Sequence, residues 1–309
     1  MKELILAGSL ILGFFLLVKG ADFFVDGAAS FATKLGIPQL VVGLTIVAMG
    51  TSAPEAAVSI TAAFEGNADI TIGNIIGSNI LNVFIILGLA SVIVPIAVAG
   101  STIKYEIPYM IICSVVIMAL GLDGKITIFD GILLWAMFVI YLIYLFICAK
   151  NNKTAEEDVK YIKGWKQLVY IIGGMAAIII GSKFAVYGAT GFARLFGISE
   201  RFIGLTIVAL GTSLPELFTS VTAAKKGNAD IAIGNIVGSN IFNILFVIGT
   251  TAFVKCVPFF EKFIIDSIIC ILSGVILFVC VYSKKKLNRR GGIVLLLCYL
   301  GYFTYLCVS

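Results

Sequence analysis

Ten stretches of this chain are apolar for long enough to cross a bilayer as helices, at about 20 residues each: 4–30, 38–64, 70–99, 107–121, 126–149, 167–193, 202–224, 231–254, 263–282 and 292–308. Only 13% of the residues are charged and the mean hydropathy is +1.10, outside the range of soluble globular chains. The expected fold is an all-α integral membrane protein with ten transmembrane helices. The first run reads as a retained helix rather than a signal peptide, because Lys2 is offset by Glu3 and no small-residue cleavage site follows the long apolar stretch.

A shift of 161 positions lays residues 43–82 on 204–243 without a gap, and 29 of the 40 positions are identical. The match continues more weakly between "GADFFVDGAASFATKLGI" (20–37) and "GSKFAVYGATGFARLFGI" (181–198). Each half holds five apolar runs, an odd number, so the second half is expected to enter the membrane from the opposite side. Inverted-topology repeats of this kind build secondary transporters whose binding site lies near the midplane, between the repeats. The expected organisation is a first five-helix repeat over 1–149, a polar linker over 150–166 and an inverted second repeat over 167–309.

The placement of Lys and Arg orients such a chain. With the N-terminus outside, fourteen basic residues fall in inside loops, among them Lys34, Lys104, Lys225, Lys226 and the run "KKKLNRR" (284–290), against six outside. Both termini are therefore expected outside the cell and the linker inside. "FEGNAD" (64–69) carries acid where its counterpart "KKGNAD" (225–230) carries lysines, as expected if one loop faces out and the other in.

Of the 17 acidic residues, Glu55 and Glu216 are the two expected well inside apolar segments, where a charge costs roughly 2.5–3.5 kcal/mol on insertion scales. No Lys or Arg accompanies them, so the expected partner is a proton or a cation from solution, and two carboxylates balance one divalent ion. Both lie in the same motif, "GTSAPE" (50–55) and "GTSLPE" (211–216). Pro54 and Pro215 each lack an N–H, which is expected to free the carbonyls of Gly50 and Gly211 and open the helix. Thr51 and Ser52, like Thr212 and Ser213, sit one turn before the glutamate, on its side of the helix. In "GNIIGSNILN" (73–82) and "GNIVGSNIFN" (234–243), Ser78 with Asn82 and Ser239 with Asn243 are spaced i to i+4. Carboxylates, hydroxyls and amides without imidazole or thiolate suit hard cations such as Ca²⁺ and Na⁺ rather than zinc or copper.

Other polar residues read more plainly. Asn74, Asn79, Asn235 and Asn240 are expected to make interhelical hydrogen bonds, Asp69 and Asp230 to cap helices, and Asp22, Asp26 and Lys183 to need no more than a local pair. Seven cysteines with no C-x-x-C pair and no histidine anywhere are expected to be reduced packing residues.

With its doubled G-T-S-x-P-E and G-N-x-x-G-S-N motifs, ten spans and a polar linker, the chain resembles the calcium/cation antiporter superfamily, and within it the prokaryotic sodium/calcium exchangers. The resemblance implies ion-binding side chains at Thr51, Ser52, Glu55, Ser78, Asn82, Thr212, Ser213, Glu216, Ser239 and Asn243, and ion-binding carbonyls at Ala48 and Ala209. It implies a non-enzymatic antiporter of the cell membrane that exchanges Na⁺ for Ca²⁺ by alternating access. Neither a cofactor nor an obligatory protein partner is expected. Proton-coupled relatives tend to carry G-N-A-T-E in place of "GTSAPE". Potassium-dependent members carry an aspartate where Asn243 stands, so the amide here argues against potassium cotransport. Proton/calcium exchange or potassium-dependent sodium/calcium exchange and, more remotely, a passive cation channel are the alternative readings.

Overall fold

A computed structural model describes residues 2–151, 162, 164–197 and 209–308. The chain folds into helices α1 (Lys2–Leu35), α2 (Gln39–Thr51), α3 (Ala53–Phe64), α4 (Asp69–Ile93), α5 (Thr102–Asp123) and α6 (Ile128–Asn151). These are followed by α7 (Trp165–Leu195), α8 (Ala209–Thr212), α9 (Leu214–Lys225), α10 (Ala229–Val254), α11 (Lys262–Tyr282) and α12 (Arg289–Val308). Among the described residues, seven helices are long and apolar enough to cross a membrane, and α2 with α3 add an eighth if that pair, bent by 48°, is one span. The seventh expected run begins within 201–208, outside the described residues, as do residues 152–161 and 163 of the expected linker. Helix α6 reaches Asn151 and α7 starts at Trp165, so each helix extends about two residues beyond the boundary expected from polarity.

The centre of the molecule is formed by α10 and α4, whose most apolar windows are 94% and 78% buried. The N-terminal part of α10 packs on α2 through glycine: a Cβ at Gly238 would meet Leu44 O at 2.6 Å and Ala48 Cβ at 2.8 Å, so only hydrogen fits there. Helices α1 and α7 lie side by side and antiparallel. Gly13, Gly20 and Gly27 on α1 recur every seven residues, and Gly174, Gly181 and Gly188 do the same on α7. A Cβ at Gly20 would sit 2.9 Å from Gly174 O, and one at Gly13 2.8 Å from Gly181 O. Small residues on one stripe thus let two membrane helices meet backbone to backbone.

Four two-residue strands tie the ends together: β1 (Ile96–Ala97), β2 (Lys125–Ile126), β3 (Val257–Pro258) and β4 (Lys286–Leu287). β1 pairs antiparallel with β4, Ile96 opposite Leu287, and β2 with β3, Lys125 opposite Pro258. The shift of 161 turns β1 into β3 and β2 into β4, so one pairing maps onto the other.

Two expectations are corrected. Asp69 and Asp230 are not caps: the helices begin at Asp69 and Ala229, the cap positions are Ala68 and Asn228, and neither cap has a side-chain hydrogen bond. Lys104 and Glu106 lie within α5, because that helix starts a turn and a half before its apolar run, with π-helical turns over Thr102–Glu106. Glu106 is therefore a third buried carboxylate, 2% exposed. Asp22 and Asp26 do form a local pair, with Lys226 Nζ at 3.3 and 2.7 Å from their Oδ1 atoms. That ion pair links α1 to the turn after α9.

Candidate cation site

Where α2 ends, Ser52 takes φ −82° and ψ 4°, and where α8 ends, Ser213 takes φ −91° and ψ 4°. This sparsely populated backbone region suits the last residue of a turn. Pro54 and Pro215 then fall in the first turn of the next helix, where a missing N–H costs nothing. The break leaves Glu55 and Glu216 in the first turns of α3 and α9, 1% and 0% exposed. The backbone is also loosened on neighbouring turns. Wide π-helical turns run over Gly43–Val47 just before Ala48, and over Asn82–Leu87 and Asn243–Ile248, so both expected amide ligands stand at the start of a widened turn, a feature common at functional sites.

Cross-connections between the two halves hold the side chains. Ser52 Oγ donates to Glu216 Oε1 at 2.9 Å, and Thr51 Oγ1 donates to Asn235 Oδ1 at 2.9 Å. Asn79 Nδ2 donates to Asn240 O and Asn240 Nδ2 to Asn79 O, both at 3.1 Å. Asn82 Nδ2 donates to Asn240 Oδ1 at 2.9 Å, and Asn243 Nδ2 to Asn79 Oδ1 at 3.1 Å. The network fixes which way the outer amides face, because turning Asn82 or Asn243 would set carbonyl against carbonyl. Their oxygens are left without a donor. Asn82 Oδ1, Asn243 Oδ1, Glu55 Oε2, Glu216 Oε2 and Ser213 Oγ are all buried and unpartnered.

The structure thus brings together most of the expected residues. Thr51, Ser52, Glu55, Ser78, Asn82, Ser213, Glu216, Ser239 and Asn243 are buried. Thr212 is half-buried and, with Pro54 and Gly211, lines a cavity of about 610 Å³ that runs between α7 and the bend. Ala48 is buried, and its carbonyl accepts from Ser52 N at 3.0 Å and from Thr51 Oγ1 and Ser239 Oγ at 3.3 Å. Ala209 opens α8. The carbonyl of Gly211 departs from expectation: Ser182 Oγ of α7 donates to it at 2.5 Å, so it does not face the cavity unpaired.

Asn74 and Asn235 are interhelical bonders, as expected. Each donates to a serine four residues after the glutamate, Ser59 and Ser220, at 2.9 Å, and more weakly to the Glu55 and Glu216 carbonyls at 3.4 Å. Ser59 and Ser220 escaped the motif reading, although both halves carry serine at that position. Among the described residues no three Asp, Glu or Cys side chains gather as a metal-binding group, and every buried charged side chain is a glutamate: Glu55, Glu106 and Glu216. Two carboxylates ringed by neutral oxygens can hold a hard cation.

The family model for "Sodium/calcium exchanger protein" matches residues 5–147 and 166–308. The chain belongs to this family. It is 31% identical over 339 residues to the sodium/calcium exchanger MaX1 of Methanosarcina acetivorans, covering 96% of this chain and 97% of that one. Inner membrane protein YrbG of Escherichia coli is 38% identical over 255 residues, 79% of this chain and 78% of that protein. A solved structure of the sodium-calcium exchanger NCX_Mj superposes with a TM-score of 0.85 at 31% identity, covering 98% of this chain and 99% of that one. The present chain is thus a multi-span membrane protein with the fold of an exchanger of the antiporter type.

Proposed function

We propose that this exchanger moves Ca²⁺ against Na⁺ across the cell membrane by alternating access. Both ions use one midplane site made of Glu55, Glu216, Thr51, Ser52, Thr212, Ser213, Ser78, Ser239, Asn82 and Asn243, with the Ala48 and Ala209 carbonyls. The reading rests on five buried oxygens without donors, two of them carboxylate oxygens, among described residues that bury no Lys or Arg. Leaving such acceptors dry and unpaired costs about 1–3 kcal/mol each, a cost that a bound cation relieves for those it reaches. The Ser239 hydroxyl reaches Ala48 O only over 3.3 Å, and its rotation would turn its lone pairs toward a bound ion.

In this reading ten helices form two five-helix repeats of inverted topology, over 1–149 and 167–309, with 150–166 as a cytoplasmic linker and both termini outside. The antiparallel contact of α1 with α7, helices related by the shift of 161, supports the inversion, as do the two strand pairs that exchange under the same shift. The names of MaX1 and NCX_Mj support sodium and calcium as the transported pair.

The test is ⁴⁵Ca²⁺ uptake into proteoliposomes under separate Na⁺, K⁺ and H⁺ gradients. An outward Na⁺ gradient is expected to drive uptake at fixed pH, and a K⁺ gradient to add nothing. Uptake driven by a pH gradient without Na⁺, with no response to Na⁺, would replace this reading by proton/calcium exchange. Uptake that dissipates with no counter-ion at all would point to a channel.

A further inference from the structure

Outside the central site, one cavity of about 380 Å³ opens between α5 and α6, lined by Lys104, Tyr105, Glu106, Tyr109, Tyr141 and Tyr144 together with apolar side chains. We propose that it binds the primary ammonium of an ethanolamine phospholipid. The proposal does not depend on which ions the exchanger carries.

Glu106 is 2% exposed; Tyr144 Oη donates to its Oε1, and its Oε2 has no partner. Tyr141, 3% exposed, also lines the cavity, and its hydroxyl has no partner. Glu106 Oε2 and the Tyr141 hydroxyl are two acceptors without donors, suited to the N–H bonds of a primary ammonium, which a trimethylammonium lacks. The walls are aromatic: Tyr109 and Tyr141 stack at 5.6 Å, and Tyr105 and Tyr144 lie at 6.3 Å. Ring faces beside a carboxylate are the chemistry that holds an organic cation.

The mouth indicates that the occupant comes from the bilayer. Ile112 and Ile140 at its rim are 51% and 62% exposed on the lipid-facing side of the helices, a surface for acyl chains. Glu106 lies about one turn from the start of α5, at interfacial depth. Lys104 Nζ, held 5.1 Å from the Tyr105 ring centre, is placed to meet a phosphate just outside the cavity. The duplication does not repeat Glu106: Ser267 stands at the corresponding position, and the neighbouring acid of the second half, Asp266, accepts from Tyr302 Oη at 2.9 Å.

The experiment is native mass spectrometry of the purified full chain titrated with phosphatidylethanolamine, its N-methyl and N,N-dimethyl forms and phosphatidylcholine, all of one acyl composition. Retention is expected to fall with each methyl group, by at least about tenfold across the series, as expected when hydrogen bonds to a charged group are lost. Glu106→Gln should flatten the series. Tyr141→Phe, which deletes one acceptor and keeps the ring, should weaken it several-fold, and it decides the matter if the glutamine variant does not fold. Equal retention of the four lipids by wild type, or an unchanged series in Tyr141→Phe or folded Glu106→Gln, would overturn the proposal. So would full displacement by an equal concentration of free ethanolamine, since the lipid would then contribute nothing.

Discussion

Ser52 Oγ of the first half donates to Glu216 Oε1 of the second at 2.9 Å, so each carboxylate's surroundings depend on the other repeat. A charge-assisted bond of this kind is worth about 1.5–3 kcal/mol. Glu216→Gln and Glu55→Gln are expected to abolish Ca²⁺ uptake while the protein still inserts and keeps its melting profile, because the amide preserves shape and removes the charge that balances the ion. Ser52→Ala should instead weaken uptake without abolishing it. Wild-type uptake by either glutamine variant would remove that residue from the site.

Asn79 and Asn240 donate to each other's carbonyls at 3.1 Å, which makes them a single joint between α4 and α10. Removing either amide orphans a buried carbonyl and frees Asn243 or Asn82 from its anchor. Asn79→Ala and Asn240→Ala should each cost about 1–3 kcal/mol. The double variant should lower the melting temperature by less than the sum, as coupled partners do. Strict additivity would mean that the two amides act independently.

Much of this was legible in the sequence because duplication repeats what matters. A glutamate after proline in an apolar run is costly once, and its recurrence 161 residues later marks a site. The amide pairs were legible only as hydrogen bonders, since nothing in "GSNILN" says that Asn79 meets Asn240 rather than a neighbour on its own side. Other features depend on where a helix starts. Glu106 was hidden because its α5 begins before the apolar run, with Lys104 and Tyr105 diluting the hydropathy. Ser182 was hidden because the carbonyl it satisfies, that of Gly211, sits on another helix, and no local spacing encodes such a partner.

The contact between α1 and α7 gives a packing prediction. A Cβ at Gly20 would lie 2.9 Å from Gly174 O and 2.9 Å from Ile178 N, whereas one at Gly8 meets nothing within 4 Å. Gly20→Val should destabilise the protein by about 1–3 kcal/mol, the usual penalty of overpacking, and Gly8→Val should be neutral. Thermal unfolding in detergent compares the two, and equal melting temperatures would mean that the close contact is not made.

Topology is checked with exposed positions. Glu65, in the turn after α3, and Lys225, the last residue of α9, are both exposed. In a cysteine-free background, Glu65→Cys should react with a membrane-impermeant maleimide from outside, and Lys225→Cys only after the inside face is opened. Reaction of both from one side would break the inverted-repeat reading.

The last prediction concerns coupling, which the proposed site places on the hydroxyls rather than the carboxylates. Thr51 Oγ1 donates to Asn235 Oδ1 at 2.9 Å, while Asn235 is held separately by its Nδ2 bond to Ser220 Oγ at 2.9 Å. Paired Thr51→Val and Thr212→Val changes therefore delete two neutral oxygens and leave α9 and α10 joined. A monovalent ion gains less from each carboxylate than Ca²⁺ does and leans more on neutral ligands. Inhibition of uptake by Na⁺ on the Ca²⁺ side should shift upward at least about fivefold in concentration, close to 1 kcal/mol. Ca²⁺/Ca²⁺ exchange should persist, since Glu55 and Glu216 remain to balance the divalent ion. Measuring both fluxes in one vesicle preparation separates the outcomes: equal loss of the two would mean that the hydroxyls serve the fold rather than Na⁺, and an unshifted Na⁺ inhibition would remove them from the Na⁺ ligands.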